Sequence, residues 1–363
     1  MADRIMAIDW NAPVRSGAAV WRLKTTIVAI AAGDNHNLLL TEEGTVLATG
    51  GNSYGETSVP HNLNKVVAIA AGFAHSIALR QNGTVVAWGN NATGATDVPP
   101  GLADVVAISA GAAHSAAVRR DGTVVVWGQT ESVMLESPRD LVDATSVVSG
   151  ADYCLAIRAG GTVAAWGKIG REASAPGTAY VRLPDDLTGV VGIDGNARGW
   201  VAVKNDGTLV TSGRNSPPDH LNRVEDPRDE GFGRHQWSSH TVPLDLVTLN
   251  PWSSDRGSNG RQTPHPPLTG VVQVVVSERH AIARRKDGAL VSWGTRDDCL
   301  TLPYGLRDIT AVSAGRLHSL ALRSDGSVIT WGVNGARLRG PLGSAEEFVG
   351  WQRGSYNLPS LMV

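Results

Sequence analysis

The chain has 363 residues and a formal net charge of −2, from 32 Lys and Arg against 34 Asp and Glu. A balance so close to zero provides no electrostatic footprint for nucleic acid or for an anionic membrane, so neither is expected as a partner. The 42 glycines and 11 tryptophans indicate many tight turns and a recurring large apolar side chain.

The N-terminus, MADRIMAIDW, lacks the charged and apolar regions of a secretory signal. The sequence contains no run of about 18 apolar residues, so no membrane helix is predicted. The two cysteines, Cys154 and Cys299, form neither a zinc spacing nor a disulfide framework. We therefore expect a cytoplasmic protein or a component of an assembled particle, with no signal peptide, no membrane insertion, no metal and no cofactor.

The chain begins with a fragment of a unit that recurs afterwards. Ile5 to Trp10 matches the third strand of that unit, because Trp10 precedes Ile30 by the same 20 residues that separate Trp88 from Ile108. Closure of the fold should therefore combine strands from both termini.

The unit is clearest from Val66 to Pro99, VVAIAAGFAHSIALRQNGTVVAWGNNATGATDVP. Its three apolar runs are too short for helices and rich in Val, Ile and Ala, which predicts strands. Asn82-Gly83 between the second and third runs predicts a hairpin in which both turn residues tolerate positive φ.

Three features of the unit recur along the chain. The glycine that ends the first run recurs at Gly33, Gly72, Gly111, Gly150, Gly195 and Gly315, with Ser277 in its place once. The turn recurs at Glu43-Gly44, Asn82-Gly83, Asp121-Gly122, Gly160-Gly161, Asp206-Gly207, Asp287-Gly288 and Asp325-Gly326. The third run ends in Trp-Gly at residues 88, 127, 166, 293 and 331, and in Thr49-Gly50 and Ser212-Gly213 without tryptophan.

Seven copies of a unit near 39 residues, each with the strands of one small antiparallel sheet, predict an all-β, seven-bladed β-propeller over residues 4–335. A single such sheet, standing alone, would leave an apolar face exposed to solvent. It becomes stable by stacking on its neighbours, and a closed ring protects the first and last blades.

Residues 214–269 interrupt the repeat between its fifth and sixth copies, with 8 of the 18 prolines and 4 of the 10 histidines. Gly195 and Ser277 lie 82 residues apart, close to two units, so an insertion and a decayed eighth blade both remain open. We favour an insertion, serving as an arm or a lid, because loops of this length are usually functional and its aromatic residues argue against disorder. The C-terminal tail, 336–363, also leaves the repeat, and Phe348, Trp351 and Tyr356 indicate that it packs on the ring or on a partner.

The units AAGFAHSIALRQNGTVVAWGNN and SAGRLHSLALRSDGSVITWGVN resemble repeats of the regulator of chromosome condensation family, whose fold is a seven-bladed propeller. The Gly-x-Thr-x-Val-Pro ending, at Gly55–Pro60 and Gly94–Pro99, is most similar to the bacterial branch that includes β-lactamase inhibitor protein II. That resemblance implies a non-enzymatic, inhibitor-like protein binder of bacterial origin, whereas a role in a larger assembly, such as a virus particle, would also allow a viral origin. The corresponding binding loops hold three aromatic residues here, Tyr54, Phe73 and Tyr153.

A histidine occupies one position of the repeat at His36, His75, His114, His280 and His318, with Tyr153 and Arg198 in two copies. A residue that recurs at the same position in most repeats usually has a structural role, so these histidines are expected to form hydrogen bonds between blades. The tryptophans of the Trp-Gly pairs are expected to be wedges between blades. No nucleophile elbow, P-loop, dinucleotide fingerprint or His-Glu-x-x-His occurs.

The candidate sites are the positions that break the symmetry. Aromatic and Arg residues are typical anchors of protein interfaces. The partner-binding candidates are Phe232, His235, Trp237, His240, Trp252, Tyr54, Phe73 and Tyr153. Asp194, Arg198 and Glu278 form a candidate axial site, because they depart from the repeat near the ring axis.

These features predict a non-enzymatic scaffold that binds another protein, either alone or as a subunit of a larger assembly, through the 214–269 insertion and the loop face of the propeller. No catalytic residue is assigned. Two alternatives remain: an enzyme with an active site at the propeller axis under the insertion, and a lectin-like binder of glycans.

Overall fold

The computed structural model describes residues 19–21, 23, 25–128, 136–168, 181, 183–196, 199–213, 240–242, 270–294, 302–303 and 306–332. Across these ranges every regular element is a strand, which confirms the all-β prediction. The strands form seven antiparallel sheets, one for each predicted repeat. We number these sheets as blades one to seven in chain order.

Each blade has three strands that follow one another along the chain. Blades one to four are β2 (Ile27–Ala32), β3 (His36–Thr41), β4 (Val46–Gly50); β5 (Val66–Ala71), β6 (His75–Arg80), β7 (Val85–Gly89); β8 (Val105–Ala110), β9 (His114–Arg119), β10 (Val124–Gly128); and β11 (Ala144–Ser149), β12 (Asp152–Arg158), β13 (Val163–Lys168). Blades five to seven are β14 (Val190–Asn196), β15 (Gly199–Lys204), β16 (Leu209–Gly213); β18 (Val271–Val276), β19 (His280–Arg285), β20 (Leu290–Gly294); and β21 (Ile309–Ala314), β22 (His318–Arg323), β23 (Val328–Gly332).

The blades close into a ring. The first strand of every blade contacts the first strand of the next, and β21 of blade seven contacts β2 of blade one. These first strands are therefore innermost and surround the axis. The Ala32 amide donates to Ser313 Oγ at 2.9 Å across the same closing contact.

Two further strands extend the outer edges of blades seven and five. β1 (Ala19–Trp21) pairs antiparallel with β23, so the last blade combines both termini as expected. The segment Ile5 to Trp10, in which an entering strand was predicted, lies outside the described residues. β17 (His240–Val242) pairs antiparallel with β16.

Direct packing of β14 on β18 joins blades five and six, so the ring is seven-bladed and no eighth blade stands between them. Apart from His240–Val242, the insertion 214–269 lies outside the described residues, and so does the tail 336–363. Their assignment as an arm, a lid or a packed tail stays a prediction.

The middle strand of each blade is buried on both faces, because each of its faces contacts a neighbouring blade. This explains why β6 reads HSIALR with its first five residues buried. The innermost strands differ, because each contains a β-bulge at its second residue. The bulged residue is exposed in all seven blades: Val28, Val67, Val106, Thr145, Val191, Val272 and Thr310. A bulge bends a strand and increases its twist, which suits a strand that curves along a narrow axis.

Seven apolar clusters fill the seven junctions between blades, and six of them contain one buried tryptophan. Trp127, for example, packs against Ile77 and Leu79 of the preceding blade. The predicted role of these tryptophans as wedges is confirmed for the Trp-Gly pairs. The exception is the junction of blades seven and one, where the wedge position holds Thr49.

The hairpin tips follow the predicted positions with one correction. The glycine of each tip has positive φ, as at Gly83 (78°), but the residue before it does not. The amide of Gly83 donates to the carbonyl of Arg80 and the amide of Arg80 to the carbonyl of Thr84. The tip is thus a tight turn closed by one left-handed glycine. The preceding Asn82 contributes a side-chain cap on the Thr84 amide instead.

Candidate functional site

The ring has two ends with different chemistry. Because strands alternate in direction, the loops that follow the first and third strands of a blade meet at one end, which we call the loop end. In blade one the Gly51 amide donates to the Asn35 carbonyl at 2.7 Å, which joins these two loops. The hairpin tips lie at the opposite end, which we call the hairpin end.

At the loop end, successive blades approach each other through the repeat glycine. The Phe73 amide donates to the Gly111 carbonyl of the next blade at 3.2 Å. A Cβ at Gly72 would lie 2.5 Å from that same carbonyl oxygen and 2.6 Å from His75 Cε1. A Cβ at Gly33, Gly111 or Gly315 would meet an equally close carbonyl oxygen of the next blade, so these junctions require glycine.

The repeat histidines connect blades, as predicted. His36 Nε2 lies 3.0 Å from Ser76 Oγ of the next blade, and His75 Nε2 lies 3.0 Å from Ser115 Oγ. Ser76 Oγ donates its own hydrogen to the Glu56 carbonyl, so it accepts from His36. Burial lowers the pKa of His36 and His75 to about 4, since a buried imidazolium would lose its hydration.

The remaining histidines repeat this contact with varied acceptors. His280 bonds Ser319 Oγ at 2.7 Å, and His318 bonds Asn37 Oδ1 at 2.7 Å across the closing junction. His114 faces the buried thiol of Cys154 at 3.3 Å. Burial also lowers the pKa of His114 and His280 to about 3 and that of His318 to about 4.

Blades four and five depart from this pattern. Tyr153 takes the histidine position of blade four, and its hydroxyl donates to the Gly199 carbonyl of blade five at 2.8 Å. Its side chain is fully buried between blades four and five, so the prediction that Tyr153 contacts a partner is wrong.

Strand pairing also corrects the position assigned to Arg198. Gly199 pairs with Gly213 as His75 pairs with Gly89, so Gly199 occupies the histidine position of blade five. Gly195 pairs with Trp200 as Ala71 pairs with Ser76, so Asn196, and not Gly195, occupies the glycine position of this blade. Counting from Gly195 therefore reached Arg198, one residue too early. Arg198 itself lies outside the described residues.

The apparent loss of the wedge in blade five is a transposition. Ser212 occupies the usual tryptophan position, and Trp200 lies directly opposite it on the neighbouring strand. In blade two, Ser76 and Trp88 form the same cross-strand pair with the two residues exchanged. Trp200 is fully buried in the junction of blades four and five, so the apolar volume is retained.

Asp194 lies on innermost strand β14, in the junction with blade six. One carboxylate oxygen accepts from the Gly195 amide at 2.8 Å and the other from the Val276 amide at 2.7 Å. Ser109 and Ser313 occupy the same repeat position and likewise accept an amide of the next blade. Burial raises the pKa of Asp194 to about 6, and the two amide bonds limit that rise.

Glu278 belongs to a group of charged side chains at the loop end. Arg316 Nε lies 3.4 Å from Glu278 Oε2, and Arg316 Nη1 lies 3.7 Å from Asp34 Oδ2. The three residues immediately follow Ser277, Gly315 and Gly33, so they hold one repeat position in blades six, seven and one. Asp34 and Arg316 were missed from the sequence, because neither residue type is unusual in its own loop.

The same repeat position is apolar in blades two to four, with Phe73, Ala112 and Ala151. Phe73 is 48% exposed, and Tyr54, in the loop that follows β4, is 58% exposed. The Asp34 amide donates to the Gly72 carbonyl, so Phe73 is adjacent to the charged group. We call Glu278, Arg316, Asp34, Phe73 and Tyr54 the axial strip.

Of the other predicted site residues, Phe232, His235, Trp237 and Trp252 lie outside the described residues, and the backbone of His240 begins β17. Among the residues with described side chains, no group of three His, Cys, Asp or Glu is arranged to hold a metal ion. No helix in the described part of the chain is long and apolar enough to cross a membrane.

Comparison with family models identifies the repeat. Residues 27–56, 66–95, 105–132 and 309–336 match the model of the Regulator of chromosome condensation repeat. The chain therefore contains repeats of this family, as its sequence suggested. The closer resemblance to β-lactamase inhibitor protein II stays a prediction. A comparison with curated proteins finds no match.

Solved propellers share the fold. Prp20p from Saccharomyces cerevisiae aligns at 20% identity over 92% of this chain and 90% of its own, with a TM-score of 0.57. Human WBSCR16 aligns at 18% identity over 86% and 88%, with a TM-score of 0.58. The CRINKLY WD40 ectodomain of the Arabidopsis thaliana receptor kinase ACR4 aligns at 16% identity over 85% and 96%, with a TM-score of 0.54. At these identities the likeness shows the fold alone.

Proposed function

We propose that this protein is a non-enzymatic scaffold that binds another protein through the loop end of its propeller. The observation that carries the proposal is the exposure of Tyr54 and Phe73 at that end. They are the large aromatic side chains that the described part of the chain leaves exposed, and aromatic anchors contribute strongly to protein interfaces.

The chemistry of the ring supports binding over catalysis. Asp194, a candidate for an axial active site, has both carboxylate oxygens bonded to backbone amides. His36 and its equivalents bond from blade to blade. These groups hold the ring together, so a partner would meet a rigid surface that loses little entropy on binding.

A protein partner is also consistent with one structural relative. The crystal structure of Prp20p is described together with its binding properties to Gsp1p and histones. We extend to this chain the binding of a protein, without the identity of the partner. Membership of a larger assembly, a contribution of residues 214–269, and the absence of nucleic-acid partners are further parts of the proposal.

The test is quantitative affinity capture from the source cells with three forms of the full chain. The Tyr54→Ala/Phe73→Ala variant removes the exposed aromatics. The Val28→Ala/Val272→Ala variant removes two exposed apolar side chains of the innermost strands, near the hairpin end, and serves as the matched control. We expect a protein that is retained by the wild type and the control and lost with the aromatic variant. Identical captured sets for all three forms would contradict the assignment of the loop end.

A further inference from the structure

We infer that the axial strip recognises an arginine-bearing segment of a partner protein, with the guanidinium held between the carboxylates and the exposed aromatic rings. The inference rests on the proposed function, because it assigns the chemistry of the partner for the same end of the ring. It starts from one repeat position that changes character around the axis.

In the charged half of that position, two acids pair with the same cation among the residues that the structure describes. Glu278 and Asp34 both contact Arg316, whose side chain is 39% exposed. The closest contact between Arg316 and Asp34 is 3.7 Å, longer than a hydrogen-bonded ion pair. A second cation would therefore find carboxylate oxygens that Arg316 leaves incompletely paired.

Asp34 is the more demanding of the two acids. Its side chain is only 7% exposed, and Asn35 Nδ2 donates to Asp34 Oδ2 at 2.5 Å. Burial raises the pKa of this carboxyl, against the opposing effect of Arg316. A buried carboxylate with one amide bond and one distant guanidinium gains from a further charge-assisted bond.

The aromatic half of the axial strip selects arginine over lysine. Phe73 follows the glycine whose carbonyl accepts from the Asp34 amide, and the loop of Tyr54 is bonded to the Asn35 carbonyl through Gly51. The exposed rings thus belong to the two loops that are bonded to the loop of Asp34, and Arg316 connects Asp34 to Glu278. A planar guanidinium stacks on such rings and still offers donors to carboxylates, whereas an ammonium group offers a point charge.

The geometry also limits what else the partner segment can carry. Ala112 and Ala151 continue the repeat position beyond Phe73, so an apolar side chain next to the arginine would face small apolar residues. An acidic segment would meet Glu278 and Asp34 and would be repelled. We therefore expect an arginine flanked by an aliphatic or aromatic residue.

The test is selection from a random heptapeptide library displayed on phage against the immobilised full chain. The charge variant is Asp34→Asn/Glu278→Gln. The matched control is Asp121→Asn/Asp206→Asn, which removes two acids from the hairpin tips, where blade two already carries Asn82 in the same role. We expect peptides enriched in arginine beside an apolar residue, bound at least about tenfold more weakly by the charge variant and unchanged with the control.

Each other outcome overturns the inference. Enriched peptides that lack arginine, an affinity unaffected by the charge variant, or no enrichment above the starting library would all contradict it. The Tyr54→Ala/Phe73→Ala variant separates this failure from that of the proposed function. Neutral peptides that depend on the aromatic rings would leave the loop end as a binding face, whereas peptides indifferent to both variants would remove it.

Discussion

The junction of blades two and three and the junctions on either side of blade five perform the same task with different residues. In the regular junction, His75 bonds Ser115 and Trp127 fills the space between the blades. Around blade five, Tyr153 reaches a glycine carbonyl, Trp200 fills the space from the opposite strand, and Asp194 reaches the amide of Val276. These junctions thus keep both the packed volume and the hydrogen bonds between blades, although the residues that supply them differ.

Acid should separate the two kinds of junction most strongly. The five buried histidines have folded pKa values of about 3 to 4 and an unfolded value of 6.5, so the unfolded chain binds more protons as the pH falls below 6.5. Each histidine then costs about 1.4 kcal/mol of stability per pH unit until its folded pKa is reached. We therefore expect the free energy of unfolding to fall steeply between pH 6.5 and 4. Urea titrations at a series of pH values, followed by tryptophan fluorescence, measure this fall.

Asp194 acts in the opposite direction. Its folded pKa of about 6 lies above the unfolded 3.8, so its contribution is present below 3.8 and is lost as the pH rises through 6. Asp194→Asn should therefore steepen the acid transition of the protein, and His75→Gln should flatten it. Equal slopes for the wild type and both variants would show that other groups control acid unfolding.

The second largest effect concerns the transposed wedge. Trp200→Ser leaves a cavity in the junction of blades four and five and should cost about 3–5 kcal/mol, as should Trp127→Ala in the regular junction. The double variant Trp200→Ser/Ser212→Trp restores the arrangement of the other blades. It should recover more than half of that loss, so the two substitutions should be strongly coupled.

Denaturant titrations of Trp200→Ser, Ser212→Trp and the double variant measure this coupling. Ser212→Trp alone should destabilise by about 1–3 kcal/mol, because it adds a second large ring to a filled junction. Additive losses in the double variant would mean that the two positions are not interchangeable, and the transposition would then be a coincidence of sequence.

A smaller effect tests the tyrosine contact alone. Tyr153→Phe retains the ring that packs in the junction and removes the hydroxyl that donates to Gly199. The Gly199 carbonyl then loses this partner, and we expect a loss of about 1 kcal/mol in the free energy of unfolding. Tyr54→Phe, at an exposed position, is the control and should change stability little. A stability equal to that of the wild type would show that packing alone joins these blades.

Much of this fold could be predicted from the sequence. Glycine, turn and tryptophan recur at a fixed spacing because every blade meets the same steric limits, so strands, tips and wedges could all be predicted. The errors fell where one residue shifted the count, as at Gly199, or where a cross-strand neighbour took over a role, as Trp200 did for Ser212. Both depend on strand register, which spacing along the chain does not reveal.

The candidate site was less predictable for a related reason. Tyr54 and Phe73 stood out by residue type, yet Tyr153, which the sequence placed in a corresponding loop, is a buried residue of β12. The charged part of the axial strip joins residues from three blades, and Arg316 and Asp34 are 282 positions apart in the chain but in contact across the closing junction. Ring closure creates that neighbourhood, and no local pattern marks it.

The smallest predicted effect concerns a wedge position that nothing replaces. Thr49 occupies it in blade one, is buried, and its hydroxyl has no hydrogen-bond partner among the described residues. Thr49→Val keeps the shape and removes the unpaired group, so it should stabilise the chain by about 1 kcal/mol. Thr84→Val is the matched control, because the Thr84 hydroxyl donates to Asn82 at 2.7 Å and its loss should not stabilise. If thermal unfolding shows the same stability for the two variants, the Thr49 hydroxyl is not an unsatisfied buried group. The junction of blades seven and one would then differ from the junctions of blade five only in its residues.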